Sequence, residues 1–226
     1  MIASLPMYDS PQLRTANDAF WMALANALPF DAPLNLTRDR DLWEMWESLD
    51  LLFSQTCGLP YRARLSQRVH LVATPDYGLP GCPPGYYHST LVTQAGKTPK
   101  AGLALAYNDA LSQSGWGAAQ GYGFVPTVET GAHMASLDAV ATGKAEVAVI
   151  DSHTLRLLGL PPGLITHGTT APTPGLPFIT ARQDWVAPLR EALHALPPAT
   201  YSALGIKSFV EIDAPTYLAV PIPPAP

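Results

Sequence analysis

Cysteine is nearly absent from this 226-residue sequence, and positive charge is scarce. Cys57 and Cys82 each stand alone, so neither a CxxC redox pair nor a cysteine-based metal motif is present. Two reduced thiols are the ordinary reading for a cytoplasmic chain, and one Cys57–Cys82 disulfide is the alternative. The 13 Lys and Arg are scattered and outnumbered by 18 Asp and Glu, which leaves a net charge of -5. A nucleic-acid backbone needs clustered cations, so a nucleic-acid partner is excluded. No apolar run approaches the ~18–20 residues of a membrane span. The opening "MIASLPMYDS" has no basic stretch followed by a long apolar one. The expected location is the cytoplasm as the chain is written, or the periplasm if a leader has been removed.

Enzymatic signatures are missing as well. There is no GxSxG, no HExxH and no GxGxxG after a strand, and "AGKT" lacks the upstream glycine of a phosphate-binding loop. Neither a metal nor a cofactor is expected. Ser112 or Ser114 could act as a nucleophile only beside a base, and His133 is the one tempting partner. The expectation is a protein that does not catalyse.

Apolar segments alternate with turn-forming ones. The 24 prolines and 17 glycines imply many stiff turns, and the final "PIPPAP" reads as an extended tail. "MIASL", "APLNL", "LDLLFSQ" and "RVHLVATP" read as strands. Between them lie a helix with Leu13, Ala16, Phe20, Leu24 and Leu28 on one face, and a shorter one capped by Asp39 or Asp41. Further on, "GLALAYN", "FVPTVET", "AEVAVID" and "GLITHGT" read as strands. "SQSGWGAAQGYG" reads as a turn and helix, "HMASLDAVATGK" as a helix stopped by Gly143, and "SHTLRLLGL" as a short helix. This order predicts an α/β protein with mostly parallel sheets flanked by helices. Two Gly/Pro-rich stretches divide it into two lobes: 1–90 with 181–226, and 91–180, joined by hinge crossings near 88–95 and 172–180. A ligand cleft between such lobes, closing about a hinge, is the expected use of the architecture.

The strand ends carry the chemistry. "AYNDALSQSGWG" runs from an apolar strand into Asn108, Asp109, Ser112, Gln113, Ser114 and Gly115. Amides and hydroxyls at a helix start bind anions, and a glycine admits close approach. The next strand leads to Thr130, Gly131 and His133, and the one after ends in Asp151. Earlier in the chain, Tyr8 follows the first strand, and Ser54, Gln55, Thr56 and Tyr61 follow another. The carboxyl ends of parallel strands are where open α/β sheets bind ligands. Each residue also has an ordinary explanation: helix cap, core histidine or half-buried aromatic.

Together "DLLFSQTCGLPY", "VATPDYGLPGCPPGYYHSTLV", "AYNDALSQSG", "TGAHMASLDAVATGKAEVAVID" and "APTPGLPFIT" resemble the PhnD-like phosphate/phosphonate-binding proteins of ABC transporters. The resemblance spans roughly residues 1–182 and implies a type II periplasmic-binding-protein fold with two lobes. It implies that Asn108, Asp109, Ser112, Gln113, Ser114 and Gly115 hold an oxyanion, with His133, Asp151 and Tyr8 in the cleft. Gln113 stands where phosphonate binders commonly carry Thr. The implied partners are a small anionic ligand and an ABC permease, and the expected state is a monomer. Alternatives are a cytoplasmic ligand sensor and an enzyme on the same fold, akin to a pyrimidine-precursor synthase that uses His133.

Overall fold

In a computed structural model, which describes all residues from Met1 to Pro226, local pattern sets most elements of the N-terminal segment. Strand β1 (Ile2–Ala3) and a 3-10 turn at Pro6–Tyr8 precede helix α1 (Arg14–Ala27). Of the expected face, helix α1 buries Phe20 and Leu24, joined by Asn17 and Trp21, while Leu13 and Leu28 lie just outside its ends. The expected strand "APLNL" does not form. Pro33 has no amide hydrogen for a ladder, and its carbonyl instead accepts from Trp21 Nε1 at 2.9 Å. Helix α2 (Leu42–Trp46) starts at Asp41, whose carboxylate accepts from the amides of Trp43 and Glu44 at 2.9 and 3.0 Å. Strand β2 (Leu51–Gln55) is buried throughout, its apolar Leu51, Leu52 and Phe53 followed by Ser54 and Gln55. A short α3 (Gly58–Pro60), a π-helical turn at Tyr61–Leu65, β3 (His70–Leu71) and β4 (Thr74–Asp76) follow.

The next stretch builds around β5 (Tyr86–Tyr87), β6 (Ser89–Gln94), β7 (Ala104–Tyr107), β8 (Val125–Glu129), α4 (His133–Ala141), β9 (Val147–Asp151), α5 (Ser152–Leu158) and β10 (Leu164–Thr169). Its sheet has the order β10-β6-β9-β7-β8. Side chains alternate across it. Leu91, Leu105, Val147 and Val149 pack with Trp116 on one face, while Val92, Ala106, Ala148 and Ile150 pack with Leu137 and Val140 of α4 on the other. Gly143 (φ 75°) ends α4, its amide reaching the Val140 carbonyl at 3.1 Å in a left-handed turn that only glycine adopts without strain. The helix expected over "SQSGWGAAQGYG" is absent: only a 3-10 turn at Gly117–Ala119 forms. Glycines at 115, 117, 121 and 123 make a continuous helix too costly there.

The chain then runs through β11 (Thr173–Pro174) and β12 (Phe178–Thr180), α6 (Gln183–Ala195), β13 (Ser208–Val210) and α7 (Ala214–Leu218). Strand β12 inserts into the first sheet, giving the order β1-β2-β12-β3. Both sheets are mixed rather than mostly parallel. Strand β12 runs antiparallel to β2 and β3, and β6 antiparallel to β9 and β10. Each of these strands arrives after a Gly/Pro-rich connection instead of the crossover helix that parallel pairing needs.

Aromatic contacts hold the first sheet. Phe53 and Phe178 lie 4.7 Å apart between ring centroids, with Phe20 6.0 Å from Phe178. Tyr217 of α7 is fully buried. Its hydroxyl donates to the Gly175 carbonyl at 3.0 Å and lies 2.7 Å from Thr74 Oγ1. Tyr217→Phe should therefore lower stability by about 1–3 kcal/mol, because buried polar groups lose their partner. Urea unfolding checks this, and an unchanged midpoint would refute it.

Contacts divide the chain into two units, Met1–Gly78 with Pro174–Ala219, and Leu79–Thr173 with Val220–Pro226. The first change of unit thus comes before the expected crossing at 88–95, because β6 belongs wholly to the second sheet. The C-terminal segment also departs from the expected 181–226 grouping. Residues 220–226 belong with the second unit, where Trp116 Nε1 donates to the Pro224 carbonyl at 2.7 Å. Both cysteines are free thiols. No helix is long and apolar enough to cross a membrane.

Candidate functional site

In the second unit, two polar segments meet, one after β7 and one after β8. Strand β7 delivers Asn108, whose carbonyl accepts from the Gly131 amide at 2.8 Å and so ties this turn to the start of α4. The Asp109 carboxylate accepts from the Leu111 amide at 2.6 Å, and the Asp109 carbonyl from the Ser112 amide at 3.0 Å. Ser112 Oγ accepts from the Gly115 amide at 3.1 Å. Ser114 Oγ lies 2.8 Å from His133 Nε2, while its carbonyl accepts from Ser89 Oγ at 2.9 Å. A Cβ on residue 115 would stand 2.0 Å from Asn108 Oδ1, so glycine is required for this packing.

His133 is the first residue of α4, and the preceding Ala132 supplies no side-chain cap. No acidic residue occupies the helix's first turn. The amide donors of this terminus and its dipole therefore favour an anion. Ser112, Gln113 and Ser114 do not start a helix, as expected from sequence, but lie in an irregular turn beside one. Two buried side-chain atoms of this unit have no hydrogen-bond partner: Asn108 Oδ1 and His133 Nδ1. Burial lowers the His133 pKa from 6.5 to about 4, which leaves the imidazole neutral at pH 7. Asp151 is buried and caps α5, accepting from the Thr154 amide at 2.8 Å. Its position at a strand end gives it this ordinary role.

The first unit places its expected residues less evenly. Tyr8 packs edge-on against Tyr77 with centroids 5.3 Å apart, and Gln55 Nε2 donates to Tyr77 Oη and the Leu176 carbonyl, both at 3.0 Å. These groups border a hollow of only about 20 Å³, room for roughly one water. Ser54 is fully buried between Ser4 Oγ at 2.8 Å and Trp46 Nε1 at 3.2 Å, and Thr56 is also fully buried. Tyr61 does not border this hollow. It lies in the core with Leu51, Leu65 and Tyr217, its ring 5.4 Å from that of Tyr217, and burial pushes its pKa up. The π-helical turn that opens at Tyr61 aims its ring inward, a direction no sequence period reveals.

Sequence reasoning misses Tyr77, whose only signal is an aromatic residue after a short strand and before Gly78. It also misses a cavity of about 460 Å³ in the second unit, bordered by Tyr87, His88, Gln113, Tyr122 and the C-terminal segment. No group of three or more His, Cys, Asp or Glu side chains is arranged to hold a metal ion.

No protein-family model matches this sequence, and no curated protein matches it significantly. Solved structures do match. A binding-protein component of an ABC phosphonate transporter from Pseudomonas aeruginosa is 15% identical, with a TM-score of 0.75 over 96% of this chain and 82% of the other. PhnD1 from Prochlorococcus marinus, solved with methylphosphonate, is 14% identical, with a TM-score of 0.73 over 96% and 93%. The GluR0 ligand-binding core from Nostoc punctiforme, solved with L-glutamate, is 13% identical, with a TM-score of 0.65 over 90% and 95%. Likeness at this identity concerns the backbone. The mixed sheets, flanking helices and division of the chain agree with it: the protein has the α/β fold of the type II periplasmic binding proteins, shared with the PhnD-like phosphonate-binding proteins.

Proposed function

We propose that the protein is a solute-binding protein for a small oxyanion of the phosphate/phosphonate class, serving ABC-type uptake or sensing. The observation that carries this reading is the Ser114–His133 pair at the uncapped start of α4, with His133 Nδ1 buried and unpartnered. When the Ser114 hydroxyl donates to Nε2, the neutral ring carries its proton on Nδ1 and offers it to an oxyanion. The first amides of α4 add donors and a dipole at the helix start that His133 opens. The phosphonate proteins that share the fold support the ligand class.

The same pair has the form of a serine nucleophile and its base. Catalysis would need a third group on Nδ1 to orient the ring, and a base whose pKa lies near working pH. Here Nδ1 has no partner and the pKa is about 4. Binding without turnover is the reading these values support.

Calorimetry with methylphosphonate and with inorganic phosphate tests it. Ser114→Ala removes the hydroxyl that holds the His133 proton on Nδ1, and should weaken binding about tenfold by costing the anion part of that donor. Failure of the wild-type protein to bind either anion would overturn the proposal, and product formation from a phosphate ester would favour the enzyme reading.

A further inference from the structure

The cavity in the second unit adjoins the serine turn, and it shares Gln113 and Ser89 with that turn's surroundings. We propose that the ligand is an oxyanion bearing an uncharged apolar or aryl substituent, which occupies this cavity. The inference rests on the oxyanion reading above. At about 460 Å³ the space falls within the range of small-molecule sites and far exceeds the needs of a methyl group.

Its walls set the chemistry. No Asp, Glu, Lys or Arg borders the cavity. His88 has both ring nitrogens engaged, Nδ1 with Ser152 Oγ at 2.8 Å and Nε2 with the Pro80 carbonyl at 3.0 Å. Gln120 Nε2 donates to the Trp116 carbonyl at 3.0 Å, and Thr170 Oγ1 accepts from the Ser89 amide at 3.0 Å. Most of the remaining surface is aromatic and aliphatic, from Tyr87, Tyr122 and Ala118, with Val220, Pro221 and Pro223 along one side. A substituent with an ammonium or second carboxylate would lose part of its hydration there with no counter-charge, a net cost. An alkyl or aryl group instead gains by leaving water. The proline-rich segment is anchored by Trp116 through the Pro224 carbonyl, so this wall is built, not loose.

The test is calorimetry with methylphosphonate, phenylphosphonate and aminomethylphosphonate. The wild-type protein should bind phenylphosphonate at least tenfold more tightly than methylphosphonate, and aminomethylphosphonate no more tightly than methylphosphonate. Ala118→Trp should fill the cavity and erase the phenyl advantage, so that phenylphosphonate binds no more tightly than methylphosphonate. Val220→Trp fills the same space from the C-terminal segment and serves if the first variant does not fold. Methylphosphonate binding with no phenyl advantage, or an advantage that survives the filled cavity, overturns this inference alone. Binding of none of the phosphonates nor of phosphate overturns the oxyanion reading and this inference with it.

Discussion

Lowering the pH from 7 to 4 should remove about 3 kcal/mol of folding stability through His133 alone. The folded protein holds this imidazole near pKa 4 by burial, against 6.5 for an ordinary histidine. Below pH 6.5 the unfolded chain therefore takes up a proton that the folded one refuses. Unfolding then binds protons, so stability falls as pH falls, and the loss is nearly complete once the pH reaches the folded-state value. The contribution is intact above about pH 7. Carboxylates also titrate towards pH 4, so the diagnostic quantity is a difference. His133→Gln cannot gain the proton, and its stability should fall less steeply between pH 6.5 and 4.5. Parallel slopes in urea unfolding would show that His133 titrates normally. Over pH 6–8 the ring of the unliganded protein is neutral.

Gly115→Ala should cost about 1–3 kcal/mol in stability, the usual range for overpacking a closed site, and should abolish high-affinity oxyanion binding. The new Cβ would lie 2.0 Å from Asn108 Oδ1 and 3.2 Å from both Asn108 Cγ and Ser112 Oγ. The Asn108 amide must rotate away, although its oxygen is enclosed. That movement disturbs the turn that presents Ser114 to His133. Asn108→Ala removes the clashing oxygen, so the double variant should be more stable than Gly115→Ala alone. Thermal unfolding of both checks this, and equal midpoints for wild type and Gly115→Ala would refute the packing argument.

What the sequence by itself determined has a local cause. The burial of Phe20 and Leu24 in α1 follows from helical period, and the strand β2 from the apolar run Leu51–Phe53. Asp41 caps α2 and Gly143 stops α4 through atoms only a few residues away. The spacing that brings Ser114 and His133 to neighbouring strand ends was legible for the same reason, since β7 and β8 are adjacent in the sheet.

Tertiary structure alone decided the rest. Strands β6 and β12 run antiparallel because of where the chain returns, which no local pattern encodes. Ser54 and Gln55 look alike in sequence, yet the pleat turns Ser54 to Trp46 and Gln55 to Tyr77. Tyr61 becomes core only because Tyr217, far along the chain, packs against it. The cavity beside Gln113 exists because the C-terminal prolines lie against Trp116. Burial sums contacts over residues distant in sequence, and the low pKa of His133 is such a sum.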